Sequence, residues 1–306
     1  MRRFVLKKLA GAALLLFALA TAVFVLVRLL PGGPFDHERA VPPAVEAALR
    51  AKYRLDAPLL VQYRDWMLDL VTRGDLGPAF KYPHRTVNEI IGASLPVSLH
   101  IGLLALLLAI AIGLPAGILG AVRRGRPADT LITAATTLGI SVPRLVLGPL
   151  LVLVFSLELG LLPVARWGTW RHVVLPVLCA AVPVGAQIAR IARAGMVEAL
   201  EADFIRAARA KGLSEGGVLR RHALRVALAP VVSFLGPAAS GLLVGSVVVE
   251  RIFDVPGMGR YFVEAALNRD YNLVTGVALV YAALLVLLDT LADIARALLD
   301  PRVSLE

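Results

Sequence analysis

The chain is poor in charge and almost free of sulfur. Only 18% of its 306 residues are Asp, Glu, Lys or Arg, whereas a soluble domain of this length carries about a quarter. A single cysteine, Cys179, excludes an intramolecular disulfide and a thiolate metal cluster. Its residue type suits a small packing position. His37, His84, His100, His172 and His222 are scattered, with no H-E-x-x-H pair and no Cys/His cluster. No G-x-S-x-G elbow occurs. The sequence also lacks a G-x-x-x-x-G-K-S/T phosphate loop, so it does not bind ATP by that route. No metal, cofactor or catalytic residue is expected.

Long apolar runs take the place of these features. Apolar residues make up 58% of the chain, and the mean hydropathy is +0.77. A bilayer core of roughly 30 Å needs about 20 helical residues to cross it. Segments 9–27, 90–122, 173–189, 226–249 and 271–288 reach or approach that length. Segment 130–157 is also apolar, but Pro143 and Arg144 interrupt it. The expectation is an all-α, polytopic membrane protein with six transmembrane helices. The first run is too long for a signal-peptide core, and bulky Val25, Leu26 and Val27 stand where a cleavage site would need small residues. It reads as a retained span.

Orientation follows the Lys and Arg content of short loops. The first eight residues carry four basics, loop 121–129 carries three and loop 190–225 carries eight. Loops 156–172 and 250–270 hold two and three, and the nine in segment 28–92 are diluted over a long stretch with eight acids. Both termini are therefore expected in the cytoplasm. The net charge of +10 reports orientation, and no nucleic-acid partner is needed to explain it.

The outer segment 31–92 reads as structured. Pro31-Gly32-Gly33-Pro34 ends the first span, and Pro42-Pro43 precedes a helix-forming run at 44–52. Leu59, Leu60, Tyr63, Trp66, Met67, Leu70 and Val71 form one apolar helical stripe, closed by Gly74. The stripe fits a helix lying on the membrane surface or on the other spans, or a docking shelf for an external partner. Gly113-x-x-x-Gly117 and Gly241-x-x-x-Gly245 permit close helix approach in lipid.

The loop between the fourth and fifth spans is the most informative part. Asp203 is placed to cap a short helix whose Phe204, Ile205 and Ala208 share a face. Arg209 and Lys211 suit the negative end of its dipole, and Gly212 suits the left-handed position that stops a helix. Ser214 can cap a second helix over 215–226. Ala207 and Ala208 permit close approach by another protein. A solvated basic loop would need neither the Ala pair nor the Phe204-Ile205 patch.

These residues carry a resemblance. Arg206-Ala207-Ala208-x-x-x-Gly212 resembles the E-A-A-x-x-x-G loop of permease subunits in binding-protein-dependent ABC importers. The longer run from Asp203 to Leu213 is similar to the dipeptide/oligopeptide/nickel permease family. So are Arg221-His222-Ala223-Leu224, Gly74-Asp75-Leu76-Gly77, Val249-Glu250-Arg251-Ile252-Phe253, Pro256-Gly257-Met258-Gly259-Arg260 and Asn268-Arg269-Asp270-Tyr271. Two departures stand out: Arg206 replaces the motif's Glu, and Arg225 stands where the generic loop has Pro.

The resemblance implies a permease subunit of the inner membrane that forms half of the pathway for di- or oligopeptides. Nickel, glutathione or another small solute is the alternative cargo. It implies three parts: an N-terminal span at 1–30, a periplasmic segment at 31–92, and a core permease domain at 93–306 with a cytoplasmic coupling loop at 195–225. Asp203, Phe204, Ile205, Arg206, Ala207, Ala208, Lys211 and Gly212 would couple to a separate cytoplasmic ATPase subunit. A second homologous permease subunit and a periplasmic substrate-binding protein would complete the importer. A secondary transporter working alone would need inverted repeats or mid-membrane relays, and neither stands out. Arg144 falls about 22 Å along the third apolar segment, counted at 1.5 Å per residue. It reads either as a pathway residue or as a side chain snorkelling to headgroups. Asp293 and Arg296 are spaced to pair.

Overall fold

A computed structural model describes residues 2–29, 51, 53–82, 84–244 and 246–299, with the backbone alone for 2–7, 244, 246 and 295–299. The stop at 31–34, the helix-forming run at 44–52, Gly245 and the Asp293–Arg296 pair lie outside the described residues or side chains. All the regular elements of the described residues are helices, joined by turns and loops; the one β contact among them is an isolated bridge between Pro78 and Thr86.

The elements follow the apolar pattern. α1 (Arg2–Leu29) is followed by α2 (Leu59–Arg73), α3 (Val87–Val122), α4 (Pro127–Ser141) and α5 (Arg144–Leu151), which runs on as a π-helix, Val152–Glu158. Next come α6 (Trp170–Glu201), α7 (Asp203–Ala210), α8 (Glu215–Val218), a π turn at Leu219–Ala223, and α9 (Leu224–Ala227). α10 (Ala229–Val244), α11 (Ser246–Ile252), α12 (Met258–Leu267) and α13 (Tyr271–Leu299) complete the chain.

Five helices have the length and composition of membrane spans: Lys8–Leu29, Val87–Val122, Trp170–Glu201, Ala229–Ile252 and Tyr271–Ile294. The expected third span is broken: α4 and α5 meet at 107°. Pro143 explains the break, because its ring forces the preceding residue out of the helical region; Val142 lies at φ −79°, ψ 116°. Arg144 is therefore the first residue of α5 and does not lie midway along a straight helix.

The centre of the bundle is the pair α3 and α6, and small residues set their separation. A Cβ on Gly113 would stand 2.3 Å from the Gly185 carbonyl oxygen, and one on Gly117 would stand 2.3 Å from that of Ala189. The first expected small-residue motif is thus a packing face. Gly241 has open space where a Cβ would be. Cys179, fully buried, fills the packing position its type suggested.

α2 lies on α1. Trp66 is buried against Phe24, with ring centroids 5.3 Å apart, and Tyr63 meets the same ring edge-on at 5.2 Å. The Tyr63 hydroxyl is 2.7 Å from Thr21 Oγ1. The expected stripe is split, because Leu59, Leu60 and Val71 stay exposed. Gly74 closes α2 at φ +64°.

Two buried carboxylates tie loops to spans, and both belong to motifs quoted above only for their resemblance. Asp270 Oδ2 accepts the backbone N–H of Phe80 at 2.8 Å and of Lys81 at 3.1 Å, joining the outer loop to the start of α13. Glu250, fully buried, accepts the Ser98 hydroxyl on Oε1 and the Gly259 N–H on Oε2, each at 2.7 Å. Ser98 Oγ in turn accepts the Met258 N–H at 2.9 Å. The first N–H groups of α12 are thereby satisfied from α3 and α11, where Gly257 has no side chain to do so. Only glycine fits there, since a Cβ on Gly257 would lie 2.4 Å from the Glu250 carboxylate.

Lys8 at the start of α1 pairs with Asp293 near the end of α13 at 2.5 Å. Ser240 donates to Asp289 at 3.5 Å across α10 and α13. Both acids near the end of α13 therefore bind other helices.

Candidate functional site

α7 begins at a sharp break. Ala202 is extended, at φ −69° and ψ 151°, and makes no side-chain cap. Asp203 is therefore not the N-cap; it occupies the first helical position. Its carboxylate pairs with Arg206 one turn on. From there its negative charge still favours the helix start. Both side chains are largely exposed, so the pair itself contributes little.

The faces of α7 are sharply divided. Ile205 is fully buried and Ala208 nearly so. They pack with Ala121 at the end of α3, Met196 and Ala199 of α6, Val218 of α8, Ala223 of the π turn and Ala227 of α9. Phe204 is 42% exposed and stays outside that cluster; it lies about 100° round the helix from Ile205, at the edge of the face next to Ala208. The alanine pair divides the same way: Ala208 packs inward, while Ala207 is exposed beside Phe204, Arg206 and Lys211. The outward face is thus an aromatic ring, a small gap and basic groups on a helix that is anchored from behind.

The stop is a Schellman turn. The Gly212 N–H donates to the Arg209 carbonyl at 2.9 Å, and the Leu213 N–H donates to the Ala208 carbonyl at 3.4 Å. Leu213 then packs into the cluster that holds Ala208. Gly212 lies at φ +79° with nothing near a would-be Cβ, so the requirement is conformational and not steric crowding by neighbours. Arg209 donates two hydrogen bonds to Glu215, at 2.8 and 3.1 Å, closing the turn from outside. Those bonds lower the pKa of the Glu215 carboxyl. Ser214 caps α8 by accepting the Gly217 N–H at 3.3 Å. The second helix expected over 215–226 is interrupted by the π turn, which carries Arg220, Arg221 and His222.

Arg144 belongs to another part of the fold. Its backbone carbonyl accepts the Cys179 thiol at 3.7 Å, which fixes the start of α5 against the first half of α6. From Cys179 to the end of α6 is about 33 Å of helix. The structure therefore does not bring Arg144 to α7; α6 connects them.

One charged pair escaped the reading of the sequence. Arg193 of α6 donates to both oxygens of Asp129 on α4, from Nε at 2.6 Å and from Nη2 at 2.8 Å. Asp129 is buried and also accepts the Gly125 N–H at 3.0 Å. In the sequence both residues lay in loops counted for their charge. The available signal was opposite charges at the edges of two apolar runs.

The model for the binding-protein-dependent transport system inner membrane component matches residues 113–305, well over half of the chain. The chain belongs to this family. A companion model, for the N-terminal part of such membrane components, matches residues 1–100. The oligopeptide transport system permease protein OppB of Haemophilus influenzae is 43% identical over 305 residues, covering 99% of each chain. The dipeptide transport system permease protein DppB of Bacillus subtilis is 41% identical, covering all of this chain and 99% of the relative. Two solved structures share the fold at 19% identity. An amino acid ABC transporter with histidines gives a TM-score of 0.57 over 68% of this chain and 94% of that one. The inward-facing MetNI methionine ABC transporter gives 0.54 over 69% and 97%. This permease is accordingly a multi-pass membrane subunit of an ABC importer, and ATP is hydrolysed on separate subunits.

Replacing Gly212 with Val tests the turn. A β-branched residue at φ +79° costs at least about 1–2 kcal/mol and would unwind the turn rather than the spans. Gly212→Val is expected to reach the membrane at normal abundance while uptake, normalised to that abundance, falls about 5- to 30-fold for an equivalent barrier change. Wild-type uptake would show that the turn is dispensable.

Proposed function

We propose that this permease conducts di- or oligopeptides, and that α7 is its contact with a cytoplasmic ATPase subunit. The observation that carries the cargo is the end-to-end similarity to peptide permeases at 40–43% identity. What supports the contact is the geometry of α7. Phe204, Arg206 and Ala207 face outward from a helix fixed by Ile205, Ala208 and the Gly212 turn. A partner groove that closes on ATP binding would find a rigid handle, and its motion would pass into α3 and α6.

In this reading the permease sits in the inner membrane with the basic loops 121–129 and 190–225 in the cytoplasm. The pairing of Lys8 with Asp293 puts the start of α1 and the end of α13 at one end of the bundle, in keeping with both termini lying inside. Segment 31–92 would face the periplasm, where a substrate-binding protein delivers peptide, and residues 93–306 would form the core with a second homologous permease. Arg144, at the bend between α4 and α5, would line the pathway and meet the peptide's carboxylate.

Co-expression with the neighbouring transporter subunits and purification through a tag on this chain tests the assembly. A stable complex with an ATPase subunit and a second permease, whose ATPase activity rises with peptide-loaded binding protein, is expected; isolation of this chain alone would overturn the reading. In the same assay Arg144→Gln is expected to reduce peptide uptake several-fold, and unchanged uptake would remove Arg144 from the pathway.

A further inference from the structure

α4 is an outlying helix. Of its fifteen residues only Asp129 is buried. Leu131 and Leu138 are 71% and 65% exposed. Between α4 and the α3–α6 pair lies an apolar cavity of about 220 Å³, lined by Ala109, Gly113, Ile132, Gly139 and Gly185 among others. The middle of α4 is therefore not packed tightly on the core. It is held near its end by Gly139, whose would-be Cβ stands 2.9 Å from Ala186, and at its start by the two-pronged bond of Asp129 to Arg193.

The position of that bond is specific. Arg193 lies eight residues before the end of α6, and α7 follows after Ala202. Both partners also touch the end of α3: a Cβ on Gly120 would be 3.4 Å from Arg193 Cδ and from Asp129 Oδ1. Arg124, in the turn before α4, pairs with Glu201 at the last residue of α6. The start of α4 is thus bound to the part of α6 that carries α7. Beyond its far end, after the bend at Pro143, lies α5 with Arg144.

We propose that the Asp129–Arg193 pair is the positioning link through which movement of α7 and α6 reaches the α4–α5 arm; this rests on the reading of α7 as the ATPase contact. A planar guanidinium held by both carboxylate oxygens fixes orientation as well as distance, which a single-point contact does not. It is the one strong directional contact of α4 with α6 among the described residues. Loss of either partner leaves α4 tied to α6 only by the close approach at Gly139 and, in the turn before it, by the exposed Arg124–Glu201 pair.

The test compares Asp129→Asn, Arg193→Gln and the double variant in the assembled importer, by uptake of a labelled peptide per ATP hydrolysed. Each single variant is expected to keep its ATPase partner and its ATP turnover within about twofold, while peptide moved per ATP falls at least about tenfold, equivalent to about 1.4 kcal/mol. The double variant should lose no more than either single one, the signature of two residues acting as a unit. Singles that keep the wild-type ratio, or a double variant whose loss is the product of the two, would overturn the link. A measurement on the unaltered pair guards against loss of folding. Spin labels at Leu131 and Arg190, both exposed, should hold one distance with and without trapped ATP, and a nucleotide-dependent change would overturn the proposal. A wild-type complex without an ATPase subunit would instead overturn the reading on which it rests.

Discussion

In the proposed coupling, a push on α7 reaches the spans through the seating of Ile205 and Ala208. These two side chains fix α7 against the ends of α3 and α6 and against the turn that leads into α10. Burying one isoleucine is worth about 1.5–3 kcal/mol, enough to hold an eight-residue helix whose own hydrogen bonds would not sustain it in water. Because the seat draws on residues from five elements, pushing on the exposed face of α7 pushes on all of them. The Schellman turn at Gly212 and the bidentate Arg209–Glu215 contact keep the helix from lengthening or fraying under that push.

The spans are built to receive such a displacement unevenly. α3 and α6 approach so closely at Gly113, Gly117 and Gly185 that backbone meets backbone. α12 is fastened to the same unit by Glu250 and Ser98. α4 is the exception, with an apolar cavity along its middle and a charged clamp at one end. A closely packed pair of helices beside a lightly packed, broken one lets a bundle change shape without losing its core, since close-packed interiors shift as units.

Much of this was legible in the residues. The apolar runs located the spans because their length is set by the bilayer, and Gly212 and Ser214 marked the turn because capping chemistry is local. Local rules failed where partners come from afar. Asp203 looked like a cap, but the chain broke one residue earlier. Pro143 was noted as an interruption, yet a 107° bend depends on how two helices then pack. Lys8, Asp129, Glu250 and Asp270 find partners more than sixty residues away or through backbone groups, and single-chain spacing carries no trace of such pairs. Phe204 and Ile205 make no single patch, because adjacency in sequence is not adjacency on a helix surface. Membership of the permease family then supplied what no spacing could, an ABC importer as the setting of the chain.

The central claim is that α7 and the end of α3 move as one body. Paired spin labels at Ala210 and Val122, both exposed, in a Cys179→Ser background, measure it directly in the assembled importer. The account predicts one unchanged distance distribution in the nucleotide-free and ATP-trapped states, while the distance from Ala210 to a label on the second permease subunit changes. A distribution between Ala210 and Val122 that shifts with ATP would contradict it.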